Sequence, residues 1–236
     1  MSKVALVTGA SGDGIGRSTA LTLARDGFHV AVNYLTHEAQ AESVCSHINS
    51  NGGKSIAVQG NIFAQEECDL LINETIMNFN RLDVCVIGPG ADWNAEPPER
   101  IAPSKSLNDV IQEISPIYSF LPRVVPEMRK AGAGRIIGIA SNPRLPSPSY
   151  SYNVAKNARI AALMELVASC WKNRITVNVI APGPIDHIST MEEAVSQSKA
   201  FPEKPEVSPQ DVAEIIAYLC SERGRYITGN VVTLSF

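Results

Sequence analysis

Seven short apolar runs, rich in β-branched residues, recur along this chain with helical-period segments between them. The runs are residues 4–7, 29–33, 55–59, 84–87, 135–139, 176–180 and 231–234. Residues 18–25, 38–49, 66–79, 107–128, 154–171 and 209–220 space their apolar side chains as an amphipathic helix does. Several strands are apolar on both faces, so both faces need cover. The alternation predicts an α/β fold: a single doubly wound Rossmann-type domain, with a seven-stranded parallel sheet and helices on both faces. At 236 residues and 44% hydrophobic content the chain can bury such a core, and no composition break divides residues 1–236. Ser208 as N-cap and Pro209 at the first helical position open the last helix. Pro116 and Pro122 are expected to interrupt the long helical region. The polar, proline-flanked stretch 186–207 is too long for a plain connector and is expected to form a substrate lid.

The charge pattern narrows the function classes. Net charge is −4 and no basic block occurs, so a nucleic-acid partner is not expected. Cys45, Cys68, Cys85, Cys170 and Cys220 are scattered without a Cys-x-x-Cys pair, which predicts neither a disulfide framework nor a zinc site. His29, His37, His47 and His187 lack metal-ligand spacing, and no metal is expected. The apolar run near the N-terminus is too short for a signal peptide, and no stretch reaches transmembrane length. A cytoplasmic location, without membrane attachment, is the expectation.

The run T-G-A-S-G-D-G-I-G, residues 8–16, lies between the first strand and first helix. Glycines there permit positive φ and close backbone approach. The helix behind them offers free N–H groups to a pyrophosphate. Strand, glycine turn and helix in that order point to dinucleotide binding. A second-strand carboxylate would bind a ribose 2′-hydroxyl and repel a 2′-phosphate. Here Asn33 is followed by Tyr34, Thr36 and His37, which favours NADP(H) while leaving NAD(H) open; Asp13 in the glycine turn works against that preference.

Tyr152 and Lys156 are four residues apart and share a helical face. A neighbouring ammonium is expected to lower the phenol's pKa and make it a proton-transfer group. Ser141 closes the strand 135–139, at the carboxyl edge where open α/β sheets bind ligands. The proline-rich stretch 143–148, with Trp93 and Tyr150, suggests a stiff aromatic rim to the pocket.

Residues 7–10 (V-T-G-A), 14–16 (G-I-G), 134–141 (G-R-I-I-G-I-A-S), 152–156 (Y-N-V-A-K), 177–185 (V-N-V-I-A-P-G-P-I) and 226–229 (Y-I-T-G) together resemble the short-chain dehydrogenase/reductase family. The likeness covers nearly the whole chain and is strongest to the 3-oxoacyl-carrier-protein reductase branch. It implies NAD(P)-dependent interconversion of a small carbonyl compound and its alcohol. Tyr152 would be the general acid/base, Lys156 would hold the nicotinamide ribose, and Ser141 would orient the carbonyl. Gly9, Ser11, Gly14, Ile15, Asn33, Asn61, Ile62 and Gly88 would contact the dinucleotide on its adenosine and pyrophosphate side. Pro182, Gly183 and Ile185 would contact the nicotinamide amide. A homodimer or homotetramer built on helices 107–128 and 154–171 is also implied.

The chain departs from the family pattern in places. The glycine turn is one residue longer than usual. Ile87-Gly88-Pro89-Gly90 stands where the family has Asn-Asn-Ala-Gly. Ser115, followed by Pro116, aligns with the family's catalytic asparagine, and His187, Ser189 and Thr190 fall near its threonine. These departures motivate a second reading, a weak or inactive relative that binds dinucleotide for sensing or assembly. A third keeps the fold but changes the chemistry to epimerisation, dehydration or dehalogenation.

Overall fold

The computed structural model describes residues 2–143, 148–186, 190–195 and 207–235. In chain order the elements are β1 (Val4–Val7), α1 (Ile15–Arg25), β2 (His29–Tyr34), α2 (Glu38–Ser50), β3 (Lys54–Gln59), α3 (Gln65–Phe79), β4 (Val84–Ile87) and α4 (Pro103–Ala131). There follow β5 (Gly134–Ile139), α5 (Tyr150–Met164), α6 (Val167–Trp171), β6 (Ile175–Pro182), α7 (Met191–Val195), α8 (Pro209–Cys220) and β7 (Asn230–Leu234).

The strands form one seven-stranded sheet in the order β3-β2-β1-β4-β5-β6-β7. Every pair is parallel; Val7 lies opposite Val32 on one side and Val86 on the other. Successive strand residues point to opposite faces. Ala5 and Val7 therefore pack with α1, α2 and α8, while Leu6 packs with α3, α4 and α5. Chain direction across the sheet reverses between β1 and β4. A crevice opens there at the carboxyl ends of the strands, where ligands bind in such folds.

Two helices differ from the sequence expectation. Pro116, Pro122 and Pro126 all lie inside α4, which runs unbroken for 29 residues. Its buried stripe of Pro116, Ile117, Phe120, Val124 and Met128 is seated against the sheet, and that packing outweighs the missing N–H donors. The expected helix 154–171 instead starts at Tyr150 and breaks after Met164 into α5 and α6. Ser208 caps α8 as expected, its Oγ accepting from the Asp211 N–H at 3.1 Å. All five cysteines are free and buried. Among the described residues no helix is long and apolar enough to cross a membrane. Most of the expected lid, including His187 and Ser189, lies outside the described residues, while Thr190 accepts from Glu193 N–H at 3.1 Å and opens α7.

Candidate active site

The glycine turn between β1 and α1 is built for close approach. Gly9 has φ +61°, and a Cβ there would meet Pro89 Cγ at 2.5 Å. A Cβ on Gly16 would overlap the Gly9 carbonyl. Gly12 and Gly14 instead face open space, with nothing within 4 Å of an added Cβ. The N-cap residue of α1 is Gly14, which has no side chain to cap the first N–H groups. An open, donor-rich surface at a helix N-terminus fits the pyrophosphate of a dinucleotide. Beside it, a cavity of about 240 Å³ is lined by Thr8, Gly9, Ile15, Gly16, Gly88 and Pro89, with Val86 of β4 and Ile139 of β5. Ser11 is buried within the turn. Thr8 ties β1 to the turn after β4: its N–H donates to Val86 O at 3.0 Å, and its Oγ1 accepts from Gly88 N–H at 2.9 Å.

Asn33 has another task than the one expected. It is 2% exposed, its Oδ1 accepts from Gly9 N–H at 3.1 Å, and its Nδ2 donates to Gly60 O at 2.9 Å. The side chain braces the glycine turn against the loop after β3 and is not available to a ribose. The groups that surface beyond β2 are Leu35, Thr36 and His37, while Tyr34 donates its hydroxyl to Glu38 at 3.2 Å. Asn61 likewise spends its Oδ1 locally, accepting from Phe63 N–H at 3.0 Å, and the Ile62 side chain is buried in the core.

Lys156 is buried and Tyr152 half-buried on the inward side of α5, one turn apart, with the Lys156 ammonium 5.1 Å from the Tyr152 ring centre. Ser141 is half-buried just beyond β5, at the same carboxyl edge of the sheet. Pro182 ends β6, Gly183 N–H donates to Leu234 O at 2.7 Å, and Ile185 bridges to Val207. The expected aromatic rim is arranged differently. Tyr150 lines a cleft of about 640 Å³ with Pro98, Pro148, Asn153, Val154 and Asn157, on the outer face of α5 away from Tyr152 and Lys156. That cleft is larger than the one by the glycine turn, but it holds none of the expected chemistry. Trp93 is exposed, and residues 144–147 lie outside the described residues.

The partner that α4 supplies is Glu113, not Ser115. Glu113 Oε1 lies 2.9 Å from Lys156 Nζ, and its Oε2 lies 2.5 Å from Arg159 Nε. Ser115, two residues on, is rotated some 200° around the helix and turns elsewhere. Glu113 and Arg159 are 0% exposed. Ala91 N–H donates to Glu113 Oε1 at 2.8 Å, and a Cβ on Gly90 would overlap the carboxylate. Arg159 Nε–H points at the Glu113 carbonyl oxygen at 3.1 Å, so Oε2 is paired by charge without a directed hydrogen bond. The other arms of the guanidinium donate to Gly88 O at 2.8 Å, Ile139 O at 2.9 Å and Pro89 O. Arg159 thus ties the turn after β4 to β5. A second buried set, Asp109 accepting from Ser151 Oγ at 2.6 Å and Lys105 Nζ at 2.8 Å, fixes the start of α5 against α4.

These charges set the titration of the site. Burial and the Glu113 carboxylate push the Tyr152 phenol up to about 12, with Arg159 opposing. The charge that opposes the rise is Arg159, not Lys156 as expected. Burial, with the Arg159 charge, pulls Lys156 down to about 8, while Glu113 holds it up. Sequence reasoning missed Glu113 and Arg159. The signal was a charged residue set in each helix's buried stripe: Asp109-Glu113-Pro116 on α4 and Ala155-Arg159-Leu163 on α5.

A family model described as enoyl-(acyl carrier protein) reductase matches residues 9–235. The chain belongs to the short-chain dehydrogenase/reductase family. It is an NAD(P)-dependent oxidoreductase. It is 34% identical to the 3-oxoacyl-acyl-carrier-protein reductase FabG of Staphylococcus epidermidis, over 98% of this chain and 97% of that one. It is 33% identical to a 3-oxoacyl-acyl-carrier-protein reductase of Synechocystis, over 96% and 93%. Among solved structures it resembles the acetoin dehydrogenase YohF of Salmonella typhimurium, with TM-score 0.86 and 26% identity over 99% and 94% of the two chains. It also resembles the angucycline C-6 ketoreductase LanV with bound NADP, with TM-score 0.84 and 28% identity over 98% and 93%.

Proposed function

We propose that this oxidoreductase uses NADPH to reduce a small ketone, with Tyr152 as the proton donor. The observation that carries the reading is the buried Lys156 ammonium 5.1 Å from the Tyr152 ring centre on α5, with half-buried Ser141 just beyond the carboxyl end of β5. When bound, the dinucleotide supplies the hydride. The phenol, pushed up to about 12, keeps its proton at neutral pH and gives it to the carbonyl oxygen. The ammonium of Lys156 stabilises the phenolate left behind, and Ser141 Oγ donates to the same carbonyl oxygen. Backbone at Pro182, Gly183 and Ile185 holds the nicotinamide amide.

NADPH is favoured over NADH because no carboxylate is free to meet a ribose at the end of β2. Exposed Thr36 and His37 at the start of α2 are suited to a 2′-phosphate, with Glu38 engaged by Tyr34. The NADP-bound LanV structure supports the same choice. Exposed Leu107, Ile111 and Tyr118 on α4, beside Val154 on α5, form an apolar strip suited to a homodimer or homotetramer contact. The cytoplasm is the compartment in which such a reductase meets its cofactor. The test is NADPH oxidation by the purified full chain against acetoin, diacetyl, 3-oxoacyl thioesters and cyclic ketones. Turnover with at least one is expected; NADPH bound but oxidised by none of the panel overturns the reading.

A further inference from the structure

We propose that Glu113 is the positioning residue of this active site: it fixes the Lys156 ammonium beside Tyr152 and keeps it cationic, while Arg159 offsets the added negative charge. The inference rests on the proposed role of Tyr152 and Lys156. Its geometry is independent of any substrate.

The three charged side chains form one cluster on facing sides of α4 and α5. Lys156 is 7% exposed and Glu113 and Arg159 are 0% exposed, so water screens none of them well. Among the described residues Tyr152 on α5 also faces Lys156, its ring centre 5.1 Å from the ammonium. Charge bookkeeping explains why both extra residues are present. Glu113 alone would cancel Lys156 and leave no net positive charge to hold a phenolate. Arg159 alone would bury two cations against each other. Together they leave a net charge of +1, that of a lone lysine. The carboxylate takes only one of the three ammonium donors, so the others remain for a ribose hydroxyl and the phenol side.

Glu113 also reaches the cofactor side. Its Oε1 accepts from Ala91 N–H at 2.8 Å, and Gly90 has no Cβ where the carboxylate lies. The same residue therefore sets the position of Lys156 and of the 88–91 turn, whose first two residues line the cavity beside the glycine turn. A lysine held by a side chain on another helix loses freedom that it would otherwise have to give up on each catalytic cycle.

The test is titration of the Lys156 ammonium in the full chain by lysine-selective NMR, assigned with Lys156→Arg, in wild type and Glu113→Gln. Glu113→Gln is expected to lower the Lys156 pKa by about 1–3 units. The alkaline limb of kcat/KM should move down with it. Glu113→Asp, which keeps the charge, is expected to shift it less than Glu113→Gln. Glu113→Gln/Arg159→Met removes both charges and is expected to return Lys156 toward its wild-type value. If Glu113→Gln does not fold, the double variant is compared with Arg159→Met: its Lys156 pKa is expected to lie about 1–3 units lower, and equality of the two overturns the proposal. A Lys156 pKa that stays within about 0.3 unit in folded Glu113→Gln, or in the double variant lies no higher than in the single, overturns the proposal. The NMR titration needs no substrate, so absence of ketone reduction would refute the functional reading without touching this coupling.

Discussion

Replacing Arg159 with methionine removes the cation of a fully buried guanidinium–carboxylate pair while keeping a side chain of similar reach. Arg159 is 0% exposed and lies against Glu113, Gly88, Pro89 and Ile139. Breaking a buried ion pair costs about 3–5 kcal/mol. Glu113 keeps Lys156 and Ala91 N–H, so the low end of that range applies here. Gly88 and Pro89 are half-buried, and water can take over at their carbonyls. The carbonyl of buried Ile139 is left unsatisfied, at about 1–3 kcal/mol. The expected loss is about 4–6 kcal/mol, a large part of a typical stability of 5–15 kcal/mol. The assay is urea unfolding at pH 7, followed by tryptophan fluorescence at several protein concentrations so that oligomer dissociation is separated from unfolding. Arg159→Lys should fall between wild type and methionine, because an ammonium cannot reproduce the fork. A loss below about 1 kcal/mol in Arg159→Met would refute the reasoning, since it would mean that water or relaxation replaces the whole network.

Three further outcomes follow from the same site. Lys156 titrates at about 8 folded against 10.5 unfolded, so the unfolded chain binds more protons between those values; stability relative to Lys156→Met should rise across that window by about 3 kcal/mol. The free-enzyme kcat/KM for ketone reduction should be level up to about pH 8 and decline above it as Lys156 loses its charge; a profile flat to pH 10 counts against a cationic Lys156 in the mechanism. His37→Asp places a carboxylate where the 2′-phosphate is proposed to sit and should lower the NADPH-over-NADH preference at least about tenfold, measured as a ratio of kcat/KM values; an unchanged ratio removes His37 from that site.

The fold was legible because strands buried on both faces and helices with one apolar stripe leave different periodicities. Strand runs such as residues 84–87 and 135–139 emerged within a residue of their observed bounds. Packing decided what periodicity could not: the prolines of α4 are tolerated because that helix is clamped to the sheet. The glycine turn and the Tyr152–Lys156 pair were legible as local motifs. Asn33 was misread because its place on β2 is local information, whereas its partners Gly9 and Gly60 come from two other segments. Glu113 and Arg159 are 46 residues apart, and only the packing of α4 on α5 brings them together. Ser115 was the nearest polar candidate on the right helix, and the turn geometry of that helix selects a residue two positions earlier.

In the proposed reaction Tyr152 delivers the proton while the glycine turn and its surroundings hold the dinucleotide. The direct test is Tyr152→Phe in the full chain, with NADPH binding followed by nicotinamide fluorescence and turnover followed by NADPH oxidation on whichever ketone the wild type reduces. The substitution removes one hydroxyl and leaves the rest of α5 in place. NADPH affinity is expected within about threefold of wild type and turnover reduced at least about a hundredfold, the scale of a lost general acid. Turnover retained in Tyr152→Phe would contradict that role.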